Sequence, residues 1–107
     1  MVLHLHIPFA EPLPSVELVA AQVALNTGLS MRYERMSLFC EPLRVDIGLY
    51  PTEEEAPAYY ITLGPGNYKC DYLLYATLMT LVDLGGQYHE PLPAWAGQPW
   101  EVAKLIL

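Results

Sequence analysis

At 107 residues the chain is sized for a single domain, residues 1–107, and its 53% hydrophobic and 16% charged content argues against a disordered polymer. Five Lys and Arg stand against twelve Asp and Glu, a net charge of −7 that repels a phosphate backbone and argues against nucleic acid as a partner. No apolar run reaches the roughly 18 residues of a spanning helix, and MVLHLHIPFAEP offers neither a basic start nor a cleavage site, so the expectation is a cytoplasmic protein without membrane contact.

In MVLHLHIPF the apolar residues Leu3, Leu5, Ile7 and Phe9 alternate with His4 and His6, the period-2 pattern of a half-buried strand. Ser15 is a good N-cap, Glu17 suits a first turn, and NTG ends the segment with Gly28 as a C-terminal cap, which predicts a helix of about 12 residues. MRYERMSLF and PLRVDIGLY each read as a strand. In the second, Leu43, Val45, Ile47 and Leu49 alternate with Arg44, Asp46, Gly48 and Tyr50. Pro51 and Pro57 bracket the acidic stretch TEEEA, after which AYYITL has the aromatic and β-branched residues of another strand.

A long helix is expected from about Tyr68 to Leu84, capped by Asn67 and stopped by Gly85 and Gly86. Leu74, Leu78 and Leu81 form its apolar stripe, with Val82 and Leu84 beside it, and Lys69, Thr77, Thr80 and Asp83 mark a narrow wet side. Prolines 91, 93 and 99 predict an irregular tail anchored by Trp95 and Trp100, then a short helix or a strand. The resulting order is β-α-β-β-β-α plus a C-terminal element. It predicts an α+β fold, a largely antiparallel sheet of about four strands packed against two main helices.

Each candidate site has an ordinary structural explanation beside it. His4 and His6 lie about 7 Å apart on one strand face and would chelate a metal if His89 or a carboxylate joined them, yet polar strand faces commonly carry histidine. ITLGPGNYKCD ends a strand in a glycine turn before a helix, where exposed N–H groups can hold an anion, but its glycines match no phosphate-binding pattern. Cys70, in the first helical turn, could be an activated thiolate with a histidine base; Cys40 and Cys70 read more simply as reduced, buried thiols. Glu34 and Asp46 could act as an acid and base pair across strands, though such carboxylates are usually just solvated. Tyr68, Tyr72, Tyr75 and Met79 share a helix face that reads as core packing before it reads as a ligand stripe.

Residues 72–100, YLLYATLMTLVDLGGQYHEPLPAWAGQPW, resemble the C-terminal part of small bacterial immunity proteins encoded beside polymorphic toxins: a hydrophobic helix, Leu-Gly-Gly, then a Pro- and Trp-bearing wrap. The resemblance implies a non-enzymatic protein that binds a cognate basic toxin, a nuclease being one such, and occludes its active site, without a cofactor. That class shares no universal binding residues, so the candidates come from charge and exposure. Glu53, Glu54 and Glu55 form an acidic strand connection that either blunts a sheet edge or steers a basic partner, with Asp46, Tyr50 and Tyr59 as further partner-binding residues. Two alternatives remain: a small enzyme or metal-binding protein centred on His4, His6 and His89, and an oligomeric accessory domain.

Overall fold

The computed structural model of the protein describes residues 3–10, 12–63 and 68–88. Strand β1 (Leu3–Pro8) leads to helix α1 (Val16–Thr27), then come β2 (Met31–Glu34), β3 (Ser37–Cys40), β4 (Val45–Thr52), β5 (Ala58–Leu63) and helix α2 (Tyr68–Asp83). One five-stranded sheet has the order β1-β5-β4-β3-β2, and every neighbouring pair is antiparallel. The expected α+β class is what forms, with one strand more than the sequence reading counted.

The extra strand comes from MRYERMSLF, which is a hairpin and not one strand. Glu34 pairs with Ser37 across a two-residue turn in which both Arg35 (φ 52°) and Met36 (φ 63°) adopt left-handed backbone. Two consecutive positive φ values are the requirement of the tight hairpin turn whose twist matches the strands, normally met by Asn-Gly. Arg-Met carries no such signal, so the turn was hidden inside an alternating run.

Helix α1 forms where its caps predict. The Ser15 hydroxyl accepts from the Leu18 N–H at 3.1 Å, and Gly28 at φ 72° donates its N–H to the Ala24 carbonyl at 2.8 Å. Val19, Val23 and Thr27 are its buried residues, and Leu18 and Leu25 stay exposed. Both helices cover one face of the sheet, and the core between them comprises Leu5, Ile7 and Phe9 from the β1 end, Leu38, Val45, Ile47, Leu49 and Ile61 from the inner strands, and Leu73, Leu74, Leu78 and Leu81 from α2. At roughly 1.5–3 kcal/mol per large apolar side chain removed from water, this layer dominates the stabilisation.

The orientation of α2 differs from the sequence reading in one respect. Thr77 and Thr80, assigned to its wet side, are both 0% exposed, whereas Met79 is exposed alongside Asp83. The helix packs against β4 and β5 and against α1, so little of its surface is left to water. Thr80 donates to the Ala76 carbonyl at 2.7 Å and accepts from Asn26 Nδ2 at 3.0 Å, which locks the two helices together. Of the tyrosine stripe, Tyr72 is buried and Tyr75 half-buried, while Met79 leaves the core. The glycine stop is as expected: Gly86 donates to the Leu81 carbonyl at 2.8 Å and forms a bridge to Phe9. Asn67, the 64–67 glycine turn and the whole tail from His89, with Trp95, Trp100 and the expected terminal helix or strand, lie outside the described residues.

Candidate functional site

Alternation along the strands divides the sheet into a helix-covered inner face and an outer face. Outward lie His4 and His6 on β1, Tyr60 and Thr62 on β5, Asp46, Gly48 and Tyr50 on β4, Phe39 on β3, and Arg32 and Glu34 on β2. His6 is opposite Tyr60, which is opposite Tyr50, so these three rings form one row across three strands. Tyr50 and Tyr60 stack with centroids 5.4 Å apart and planes 17° apart, and His6 tilts against Tyr60 at 4.9 Å and 39°. The glycine at 48 belongs to the neighbouring row: a Cβ there would clash with Thr62 Oγ1.

The three glutamates sit in the β4–β5 connection, residues 53–57, immediately beyond this aromatic row. All three are exposed, and the turn is held by Glu54 N–H donating to Thr52 Oγ1 at 3.4 Å. The connection divides its charge between two concavities. Glu53 meets Glu17, Val16 and Pro51 in a groove of about 430 Å³ at the start of α1. Glu54 and Glu55 close a pocket of about 300 Å³ with His6, Thr52, Ala56 and Tyr60 on the outer face. Among the described residues neither is lined by Lys or Arg, so no described basic side chain offsets the negative charge of these two concavities.

Two of the residues assigned from sequence sit elsewhere. Tyr59 is wholly buried, not a surface anchor: its ring meets Phe9 edge-on at 6.0 Å and its hydroxyl donates to the Pro14 carbonyl. Burial pushes its pKa up to about 12, with the nearby Tyr33 and Glu17 adding to the effect. Its neighbour Tyr60 takes the outward position. The alternation through Ile61 carried that information, because Tyr59 shares the parity of Ile61 and Tyr60 that of Thr62. Asp46 is exposed on the outer face as expected, but four residues, or about 13 Å, along the strand from Tyr50. There it shares a depression with Arg32, Arg35 and Glu34, a patch of mixed sign.

Glu34 and Asp46 do not face one another, since β3 runs between their strands, and Glu34 pairs with Arg32 at 3.5 Å. Cys40 is buried and its thiol pKa is raised by that burial, against a smaller lowering from the Leu43 backbone. The Cys70 side chain and His89 lie outside the described residues. Among the described residues, no group of three or more His, Cys, Asp and Glu is placed to hold a metal ion, and no helix is long and apolar enough to cross a membrane.

The residues that sequence reasoning missed are His6 as a ring of this row, Tyr60, Thr52 and Ala56. No protein-family model matches the sequence, and neither a curated protein nor a solved structure matches the chain, so the site is read from its own geometry.

Proposed function

We propose that this protein is a non-enzymatic binding module, a bacterial immunity protein that docks on a cognate basic toxin and occludes its active site. The observation that carries the reading is the set of exposed carboxylates at one end of the sheet, Glu54 and Glu55 beside the Tyr60 ring on the outer face and Glu53 with Glu17 in the groove at the start of α1, with no Lys or Arg among the described residues lining either concavity. Tyrosine supplies large contact area with few rotatable bonds, and exposed carboxylates accelerate encounter with a basic surface. A nuclease fits the partner's description, because a cleft that binds a phosphate backbone is itself basic. Occlusion needs no chemistry from the binder, and the net charge of −7 favours approach over long range.

The test is co-purification with the product of the neighbouring gene, followed by calorimetry and stopped-flow association at low and high salt. Tight one-to-one binding that weakens with salt is expected. Changing Glu53→Gln, Glu54→Gln and Glu55→Gln together should slow association about tenfold and flatten its salt dependence. No binding, or association unaltered by salt and by the triple variant, removes the reading.

A further inference from the structure

The two edges of the sheet are not alike. Beside β1 the chain returns after α2, where the Gln87 N–H donates to the Pro8 carbonyl at 2.9 Å and Gly86 bridges Phe9. At the other edge lies β2. The Ser30 carbonyl accepts from the Glu41 N–H at 3.2 Å and Glu34 closes the hairpin on Ser37, so the even residues of β2 turn their main-chain groups toward β3. The N–H and C=O groups of Met31 and Tyr33 therefore face outward, and among the described residues no strand or backbone hydrogen bond meets them. Such an edge is a template for a further strand.

Its charges select a second copy of this chain. Two copies joined antiparallel about a two-fold axis must set outward groups against outward groups, and so odd residues against odd. An axis at Arg32 opposes Arg32 to its own copy, one at Glu34 opposes Glu34 to its own copy, and one at Met31 sets the strand against residues 28–30, which lie outside it. An axis at Tyr33 instead puts each Arg32 directly opposite the second copy's Glu34. In such a non-hydrogen-bonded pair the Cα atoms are about 4.5 Å apart, against roughly 7 Å between Arg32 and Glu34 along one strand. These side chains are 56% and 58% exposed and pair at 3.5 Å within the chain, so each is free to turn to the nearer partner.

Helix α1 fits the same neighbour. It packs on β2 while α2 lies on β4 and β5, and Asn26 marks its α2 side through the bond to Thr80. Helical spacing puts the half-buried Ala20 and Ala24 on the side away from Asn26, toward the β2 edge. A two-fold axis normal to the sheet brings this small-residue side against its counterpart.

We propose that β2 is a homodimer interface: two copies pair antiparallel about Tyr33 into one ten-stranded sheet, with reciprocal Arg32–Glu34 ion pairs on its outer face. This goes beyond the binding-module reading. The acidic connection belongs to β4 and β5, which β3 separates from β2, so each copy keeps its docking end outside the contact.

Sedimentation equilibrium of the full chain alone, from micromolar to millimolar concentration, tests it. Twice the 12.0 kDa monomer mass is expected at the upper end. Arg32→Glu and Glu34→Arg each oppose like charges across the axis, so either alone should weaken association about tenfold or more. Mixing the two variants should restore it as a heterodimer, which also shows that each still folds. Amide exchange at Met31 and Tyr33 should slow as concentration rises, while Arg32 and Glu34, bonded to β3, exchange alike throughout. A monomer over the whole range, single reversals without effect, a mixture that stays monomeric, or Met31 and Tyr33 amides indifferent to concentration would overturn the proposal. No toxin enters these measurements, so their failure leaves the immunity reading standing, and a toxin that does not bind leaves the dimer standing.

Discussion

The Tyr59 hydroxyl donates a hydrogen bond to the Pro14 carbonyl, tying β5 to the loop from which α1 starts. The bond requires a protonated phenol, and burial raises the Tyr59 pKa from 10.0 to about 12. A pKa raised in the folded state means that the proton is held more tightly there than in the unfolded chain. The contribution is therefore complete below about pH 10 and is lost as pH rises toward 12. Tyr59→Phe should cost about 1 kcal/mol at neutral pH and should lose stability less steeply above pH 10 than the parent, as read by urea unfolding across that range. Parallel alkaline limbs for parent and variant would remove Tyr59 from the titration.

Thr77 and Thr80 look alike in sequence and are equally buried, yet they should respond in opposite ways to substitution. The Thr77 hydroxyl has no hydrogen-bond partner among the described residues, whereas Thr80 accepts from Asn26. Thr77→Val exchanges an unsatisfied buried hydroxyl for a methyl of the same shape and should stabilise by about 1 kcal/mol. Thr80→Val should destabilise by about 1–2 kcal/mol, and a double-mutant cycle with Asn26→Ala should show coupling of about 0.5 kcal/mol or more.

Gly86 is enclosed where α2 ends against β1. A Cβ there would lie 2.6 Å from Ile7 Cγ2 and 2.8 Å from the Leu81 carbonyl oxygen, and the latter is backbone and cannot swing aside. Gly86→Ala should cost about 2–3 kcal/mol in denaturant unfolding. Gly85→Ala meets only the Phe9 ring, at 3.8 Å, so its penalty comes from the left-handed φ of 113° alone and reports on a different cause.

The β2–β3 turn holds two side-chain-bearing residues in left-handed backbone, at about 1–2 kcal/mol each relative to a right-handed position. Arg35→Asn with Met36→Gly supplies the residues that this turn geometry favours. A gain of about 1 kcal/mol and a rise in melting temperature are expected. Loss of stability would show that the Met36 side chain, although exposed, contributes more than its backbone costs.

Local chemistry made much of the architecture legible. Ser15 and Gly28 bound α1 because capping depends only on neighbouring backbone groups, and the alternation of Val45, Ile47 and Leu49 placed β4 because side-chain parity belongs to the strand itself. The same parity puts Asp46 and Tyr50 on the outer face, where Asp46 is exposed and Tyr50 half-buried, and the prolines on either side of the acidic connection put Glu53, Glu54 and Glu55 in water, where they lie. Tyr59 was misplaced although the parity rule was available, since Tyr59 and Tyr60 are adjacent and must point to opposite faces.

The long-range relationships were not in any local pattern. Periodicity assigns residues to faces but says nothing of which strand lies beside which, and only the order β1-β5-β4 brings His6 against Tyr60 and Tyr60 against Tyr50. Likewise, helical spacing could not tell that Thr77 and Thr80 would be buried and Thr80 joined to Asn26 of α1, because a threonine is compatible with water or with a helix contact. The sequence by itself determined most of the elements, the face parity along β1 and β4, and the negative charge. Tertiary packing decided the neighbours, and with them the aromatic wall that turns two exposed glutamates into one side of a pocket.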